Sequence, residues 1–177
     1  MLTLSAGEKQ KAAQYLESTR DELLRAVRDL SEAQWFFKGA PERWSIAQIL
    51  EHVVIVENGV HALIGRMPHA PETDRIDTAI DDFIPVNVPQ RSTKVEAPGT
   101  AVPRGQWSPA DTVERFAAAR TRTLELLESA PALRGHVVPH PVLGPWDGYQ
   151  WILGAAAHGV RHTEQIREVK AEAGFPG

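Results

Sequence analysis

Trp151-Ile152-Leu153-Gly154-Ala155-Ala156-Ala157-His158-Gly159-Val160-Arg161-His162-Thr163-Glu164-Gln165-Ile166-Arg167-Glu168-Val169 is the stretch on which the fold turns. At about 100° per residue, Trp151, Ala155, His158, His162, Ile166 and Val169 fall within one stripe. Asp147 with Gln150 opens this helix, which is expected to run to about Ala173 and stop at Gly174. A long stripe of this kind needs partners to bury it, and the rest of the chain supplies them.

Ser5 and Glu8 have the spacing of a capping box, and Leu16, Leu23, Val27 and Leu30 recur behind them at helical spacing. The first helix is therefore read from Ser5 to near Leu30. Ser31 and Gln34 repeat the signature for one short turn, which Gly39, Ala40 and Pro41 break. Ser45 with Gln48 opens a second long helix ending near Gly65, with Ile46, Ile49, Leu50, Val53, Val56, Val60, Leu63 and Ile64 on a wide apolar face. Ser108-Pro109, with Asp111 near the positive end of the helix dipole, opens the third. Its stripe is Val113, Phe116, Ala117, Leu124 and Leu127, and Pro131 lies past its end. No strand-like run stands out. The fold class is all-α, and residues 1–177 are read as a single four-helix-bundle domain.

One connection is long. Arg66 to Trp107 carries Pro68, Pro71, Pro85, Pro89, Pro98 and Pro103. A crossover of that length lets the second and third helices run parallel. It is expected to pack as irregular chain over one side or end of the bundle, with a short helical turn at Asp77–Phe83. If functional, it would cover the mouth of a site and set substrate choice.

Composition excludes several functions. The chain has 177 residues, 42% hydrophobic and 24% charged, with a net charge of −4. An acidic chain without a long basic run is a poor partner for nucleic acid. Cysteine is absent, which removes disulfides, thiolate ligands and a cysteine nucleophile. No apolar run is long enough to span a membrane. Met1–Ser5 lacks a basic region followed by an apolar one, so the expected compartment is the cytoplasm.

The histidines carry the chemistry. His158 and His162, four apart, lie in the middle of a face that must be buried. An unsatisfied buried polar group costs about 1–3 kcal/mol, and one divalent cation satisfies both rings at once. His52 lies on the second helix, about 80° from the centre of its stripe, and becomes a third ligand if the bundle brings the two helices together. Three histidines leave an open coordination position. Nitrogen ligands suit Zn²⁺ or Ni²⁺, with Mn²⁺, Fe²⁺ and Co²⁺ as further candidates. Free imidazole chemistry sets an expected loss of metal below about pH 6. His61, His69, His136 and His140 are read as solvated or locally bonded, with His140 held in reserve. Glu51 and Glu57 lie near His52 in sequence, but Glu57 points to another side of the helix, and no residue is nominated as catalytic beyond the ligands.

Trp44-Ser45-Ile46-Ala47-Gln48-Ile49-Leu50-Glu51-His52 resembles the start of the second helix of the DinB-like family. His140-Pro141-Val142-Leu143-Gly144 and the later His158, Arg161, His162 and Gln165 resemble its last helix, with the pattern H-x-x-R-H-x-x-Q-I. The resemblance covers nearly the whole chain and implies a bundle holding a divalent metal on His52, His158 and His162. It brings in a wider superfamily of bacillithiol and mycothiol S-transferases and the mycothiol-dependent maleylpyruvate isomerase, in which a metal activates a low-molecular-weight thiol.

The expected function is therefore a metal-dependent transferase acting on a small-molecule substrate with an external thiol as co-substrate. The alternative is a non-catalytic bundle that senses or sequesters a metal or ligand. Arg161 is a candidate for a substrate carboxylate, with an ion pair to a neighbouring glutamate as its simpler role. Gln165 is a candidate for orienting a ligand. A homodimer is expected.

Overall fold

Every long helix begins at the capping residue its sequence provides. A computed structural model describes residues 2–74, 77–92 and 96–177, so Met1 and the crossover residues 75–76 and 93–95 lie outside the described residues. The helices are α1 (Ala6–Ala26), α2 (Glu32–Phe36), α3 (Ile46–Arg66), α4 (Ala79–Asn87), α5 (Pro109–Ser129) and α6 (Gly148–Lys170). Ser5 with Glu8, Ser31 with Gln34, Ser45 with Gln48 and Asp147 with Gln150 each form a complete capping box. Ser108 caps α5, with Pro109 as its first residue. These pairs satisfy backbone donors that a helix start otherwise leaves orphaned.

Contacts along the helices fix their directions. Glu57 and His61 of α3 reach Arg120 and Thr123 of α5 in the same order, so the crossover does join parallel neighbours. Glu8, Glu22 and Ala26 of α1 meet Tyr149, Arg167 and Lys170 of α6, also in the same order. Lys9 meets Glu128, whereas Leu16 meets Arg120, which makes α1 and α5 antiparallel. The bundle therefore runs up-down-down-up and holds two parallel pairs where one was expected.

Two apolar clusters fill the bundle ends. Leu16, Val60, Ile64, Leu127, Ile152 and Leu153 belong to one, and Leu23, Ile49, Leu50, Phe116, Ile166 and Val169 to the other. Between them in sequence, on every long helix, lies a buried polar residue: Thr19, Glu57, Arg120 and Thr123, and His162, with buried His52 set among the α3 residues of the second cluster. The core is two apolar blocks separated by a polar belt.

Several boundaries differ from the sequence reading. α1 stops at Ala26, because the chain turns and Asp29 takes a left-handed φ of 56° before Ser31 caps the next helix. α6 stops at Lys170, short of Ala173, in a turn that ends on Gly174 at φ 85°. The third long helix buries Thr112, Arg120 and Thr123 beside Phe116 and Leu127, a face more polar than its apolar stripe suggests.

A hairpin was also not expected. β1 (Val137–His140) pairs antiparallel with β2 (Gly144–Asp147), and the two prolines, Pro139 and Pro145, face each other in the ladder. Proline is a poor strand signal, and two short strands are marginal alone. Here buried Trp146 and the Asp147 cap tie the hairpin to α6.

The crossover is more ordered than irregular chain. α4 extends the anticipated turn through Pro85 to Asn87. It is clamped by buried Arg134, which donates to Asp81 at 2.6 Å, Asp147 at 2.7 Å and Glu8 at 2.5 Å. A single guanidinium thus joins α1, α4 and the start of α6. No helix among the described residues is long and apolar enough to cross a membrane.

Candidate metal centre

α3 and α6 cross where the polar belt is richest in nitrogen. His158 and His162 project from the same face of α6 because they lie one turn apart. His52 comes from α3, whose apolar neighbours Ile49 and Val53 seat it against α6. It is only 5% exposed, so the ring placed at the edge of its stripe by the sequence is inside. Two covers account for this: Trp44, with its ring centroid 4.9 Å from the imidazole, and the Ala101 backbone.

All three Nε2 atoms point at one another. His52 Nε2 is 3.1 Å from His158 Nε2, which is 3.0 Å from His162 Nε2. One ligand atom from each ring lies within 4.8 Å of the others. Two nitrogens bound at about 2.0–2.1 Å to one ion stand about 2.9–3.4 Å apart, so the observed separations suit a shared cation.

Tautomers make the case chemical. The Ala101 carbonyl only accepts, so His52 must donate its Nδ1–H to it, at 2.7 Å. His162 Nδ1 lies 2.8 Å from Gln165 Oε1 and donates in the same way. Both rings then present bare Nε2 lone pairs to the same point. His158 has at most one Nε2 proton to offer and cannot serve two acceptors. A divalent ion is the partner that satisfies three converging lone pairs, and the outer bonds to Ala101 and Gln165 are the supports that metal-binding imidazoles use.

Burial works in the same direction. Desolvation lowers the pKa of His52, and it lowers His158 well below the usual imidazole value, helped by His162, His52, Arg161 and Arg120. His162 is pushed down to about 3, chiefly by burial and then by His52. Neutral imidazole is the metal-binding form.

The remaining predicted residues have distinct places. Gln165 orients His162, as its position one turn along suggests. Arg161 Nη1 donates to the Gln90 carbonyl, which ties the crossover to α6, while Arg91 pairs with Glu168 at 2.7 Å close by. His140 is not with the triad: it stacks on Trp146 at 4.2 Å, and its Nδ1 accepts from Val142 and Leu143 N–H in the hairpin turn. His61 bonds Thr123 of α5 and His136 bonds the Ala70 carbonyl, so both reach distant chain where solvated or local roles were expected, and neither joins the triad.

Of the buried polar groups that escaped the sequence reading, two lie beside this centre. Arg120, 0% exposed, donates to Glu57 at 2.7 and 3.1 Å, to the Leu16 carbonyl and to Thr19, each of the latter at 2.8 Å. Gly159 makes room for it, since a Cβ there would stand 3.3 Å from Arg120 Nη2. The signal was present: Arg120 is four residues after Phe116 and seven before Leu127, on their face. Glu51 is the other, and it holds the segment that covers His52.

Comparison with known proteins agrees with this architecture. Residues 15–166 match the DinB superfamily. Among solved structures, TT2238, a four-helix bundle protein, superposes with a TM-score of 0.61 at 19% identity, covering 90% of this chain and 98% of that one. YfiT from Bacillus subtilis, described as a probable metal-dependent hydrolase with an unusual four-helix bundle topology, gives a TM-score of 0.64 at 15% identity, covering 96% of this chain and 90% of that one. No curated protein matches the chain.

Proposed function

The chain belongs to the DinB superfamily, and from that premise we propose that it is a metal-dependent transferase whose three-histidine centre activates a small external thiol. The observation that carries this reading is the convergence of three Nε2 atoms, two of them fixed as acceptors by their outer bonds. A divalent ion held by His52, His158 and His162 would supply Lewis acidity, lowering the pKa of a thiol or water at an open position.

The donor set favours an anionic nucleophile. Three neutral imidazoles leave the full dipositive charge of an ion uncompensated, so a thiol gains most by losing its proton there. The chain has no cysteine, and the thiol must come from outside. Arg161 adds positive charge beside the pair, since it helps depress both His158 and His162. That charge favours substrates bearing a carboxylate. Trp44 gives His52 an apolar wall, and Gln165 keeps His162 in its metal-binding tautomer.

A hydrolase is the second reading, favoured by the description of YfiT. The two differ only in the nucleophile. The metal-loaded protein should be offered an aryl halide with glutathione, bacillithiol or mycothiol, and separately an activated ester with none. Thiol-dependent loss of the halide supports transfer. Thiol-independent ester cleavage that disappears in His158→Ala supports hydrolysis. Tight metal binding with neither reaction leaves the sensing or sequestering bundle.

A further inference from the structure

Glu51 precedes His52 on α3 and is 2% exposed, and among the described residues no cationic side chain forms an ion pair with it. Its carboxylate is occupied by backbone. Oε1 accepts from Arg104 N–H at 2.9 Å and Gln106 N–H at 3.3 Å, and Oε2 accepts from Gly105 N–H at 2.8 Å. The Gln106 side-chain amide adds a contact at 3.4 Å. Gly105 has a φ of 70°, which curls successive N–H groups around one anion.

This anchor sits a short reach from the metal centre. Residues Gly99–Ala101 form a single helical turn, and Val102 leaves it extended, with φ −70° and ψ 124°. Only Val102 and Pro103 separate the Ala101 carbonyl, which takes His52 Nδ1–H at 2.7 Å, from the first N–H on Glu51. Both ends of this strap are bound to adjacent residues of α3.

We propose that Glu51 is a positioning residue for the histidine centre: its carboxylate anchors the 101–106 strap, and the strap's Ala101 carbonyl fixes His52 as the tautomer whose Nε2 faces His158 and His162. A carboxylate suits this task because it only accepts, and three N–H groups point at it. Glutamine offers one acceptor oxygen and turns an NH₂ toward donors. The inference leans on the metal reading only for its affinity readout, because the tautomer of His52 is a property of the protein alone.

Two variants test it. Glu51→Gln removes the charge and keeps the shape. Pro103→Gly leaves Glu51 intact and slackens the link between anchor and carbonyl. Ring ¹⁵N NMR of metal-free protein reads the His52 tautomer, circular dichroism checks the helices, and competition with a chromophoric chelator reads Zn²⁺ affinity. The wild type should show a single Nδ1–H form. Glu51→Gln should show a mixture, with Zn²⁺ affinity down about 10–100-fold and helices intact. Pro103→Gly should move both in the same direction by less. A folded Glu51→Gln that keeps the wild-type tautomer overturns the proposal. Should that variant fail to fold, an unchanged tautomer in Pro103→Gly overturns it instead. A shifted tautomer in a protein whose wild type binds no Zn²⁺ upholds the positioning role and removes the metal reading.

Discussion

The polar belt has two halves, and they solve the same problem differently. On the α1–α5 side, Arg120 meets Glu57, Thr19 and a backbone carbonyl, and Thr123 donates to Glu57 at 2.6 Å. Donors face acceptors and the group is closed. On the α3–α6 side, three imidazoles turn the same kind of atom toward one another. Helix α3 contributes to both, through Glu57 and His52. A buried polar cluster complete in itself holds a fold together, whereas one that lacks a partner of definite charge and size marks where something binds.

The largest separation between the halves should appear in stability. Glu57→Ala leaves the Arg120 charge buried without its partner, and breaking such a pair costs about 3–5 kcal/mol. Urea denaturation should show a lowered midpoint that corresponds to a loss of that size. His158→Ala removes a neutral ring and leaves no buried charge without its partner, so it should cost the metal-free fold less than Glu57→Ala, while abolishing metal binding. Equal losses in the two variants would erase the distinction.

Acid should act next, and mainly through the histidines. His52, His61, His140, His158 and His162 all have lowered pKa values in the fold, with burial as the leading cause. The unfolded chain therefore binds more protons below its ordinary imidazole pKa of about 6.5. Stability of the metal-free protein should be full above that pH and fall as pH drops toward about 3, where His162 titrates in the fold. Thermal melts of His158→Ala should show a shallower fall than wild type. Because the folded rings stay neutral below pH 6, metal should also be retained to lower pH than free imidazole would allow, provided the fold survives.

The smallest effect belongs to the outer support. Gln165→Ala frees His162 Nδ1 from its acceptor and should lower Zn²⁺ affinity about tenfold or more, with helical content unchanged. An unaltered affinity would mean that packing on α6 alone orients that ring.

The sequence was most legible where one residue type performs one local task. Ser5, Ser45, Ser108 and Asp147 mark the starts of the long helices because capping chemistry is confined to a single turn. The His158–His162 pair was legible for a related reason, since i,i+4 spacing on one stripe is itself a geometric statement, whereas His52, at the edge of its stripe, entered only as a partner to that pair and through the family resemblance. What stayed hidden depends on distant chain. Arg120 is buried because Glu57, Thr19 and the gap at Gly159 receive it, and none of these is near it in sequence. Glu51 looks like a solvated charge until residues 104–106 fold over it. The hairpin escaped because its strands carry facing prolines and draw their stability from Trp146 and the α6 cap rather than from their own pairing.

Elemental analysis of untagged wild-type protein and of the His52→Ala, His158→Ala double variant shows whether the three histidines hold an ion. One divalent ion per wild-type chain and none in the variant are expected, with helical circular dichroism the same in both. Metal retained in the variant would contradict the three-histidine site and turn attention to His136 and His140, and a wild type that binds no ion from excess Zn²⁺ or Ni²⁺ would contradict it outright.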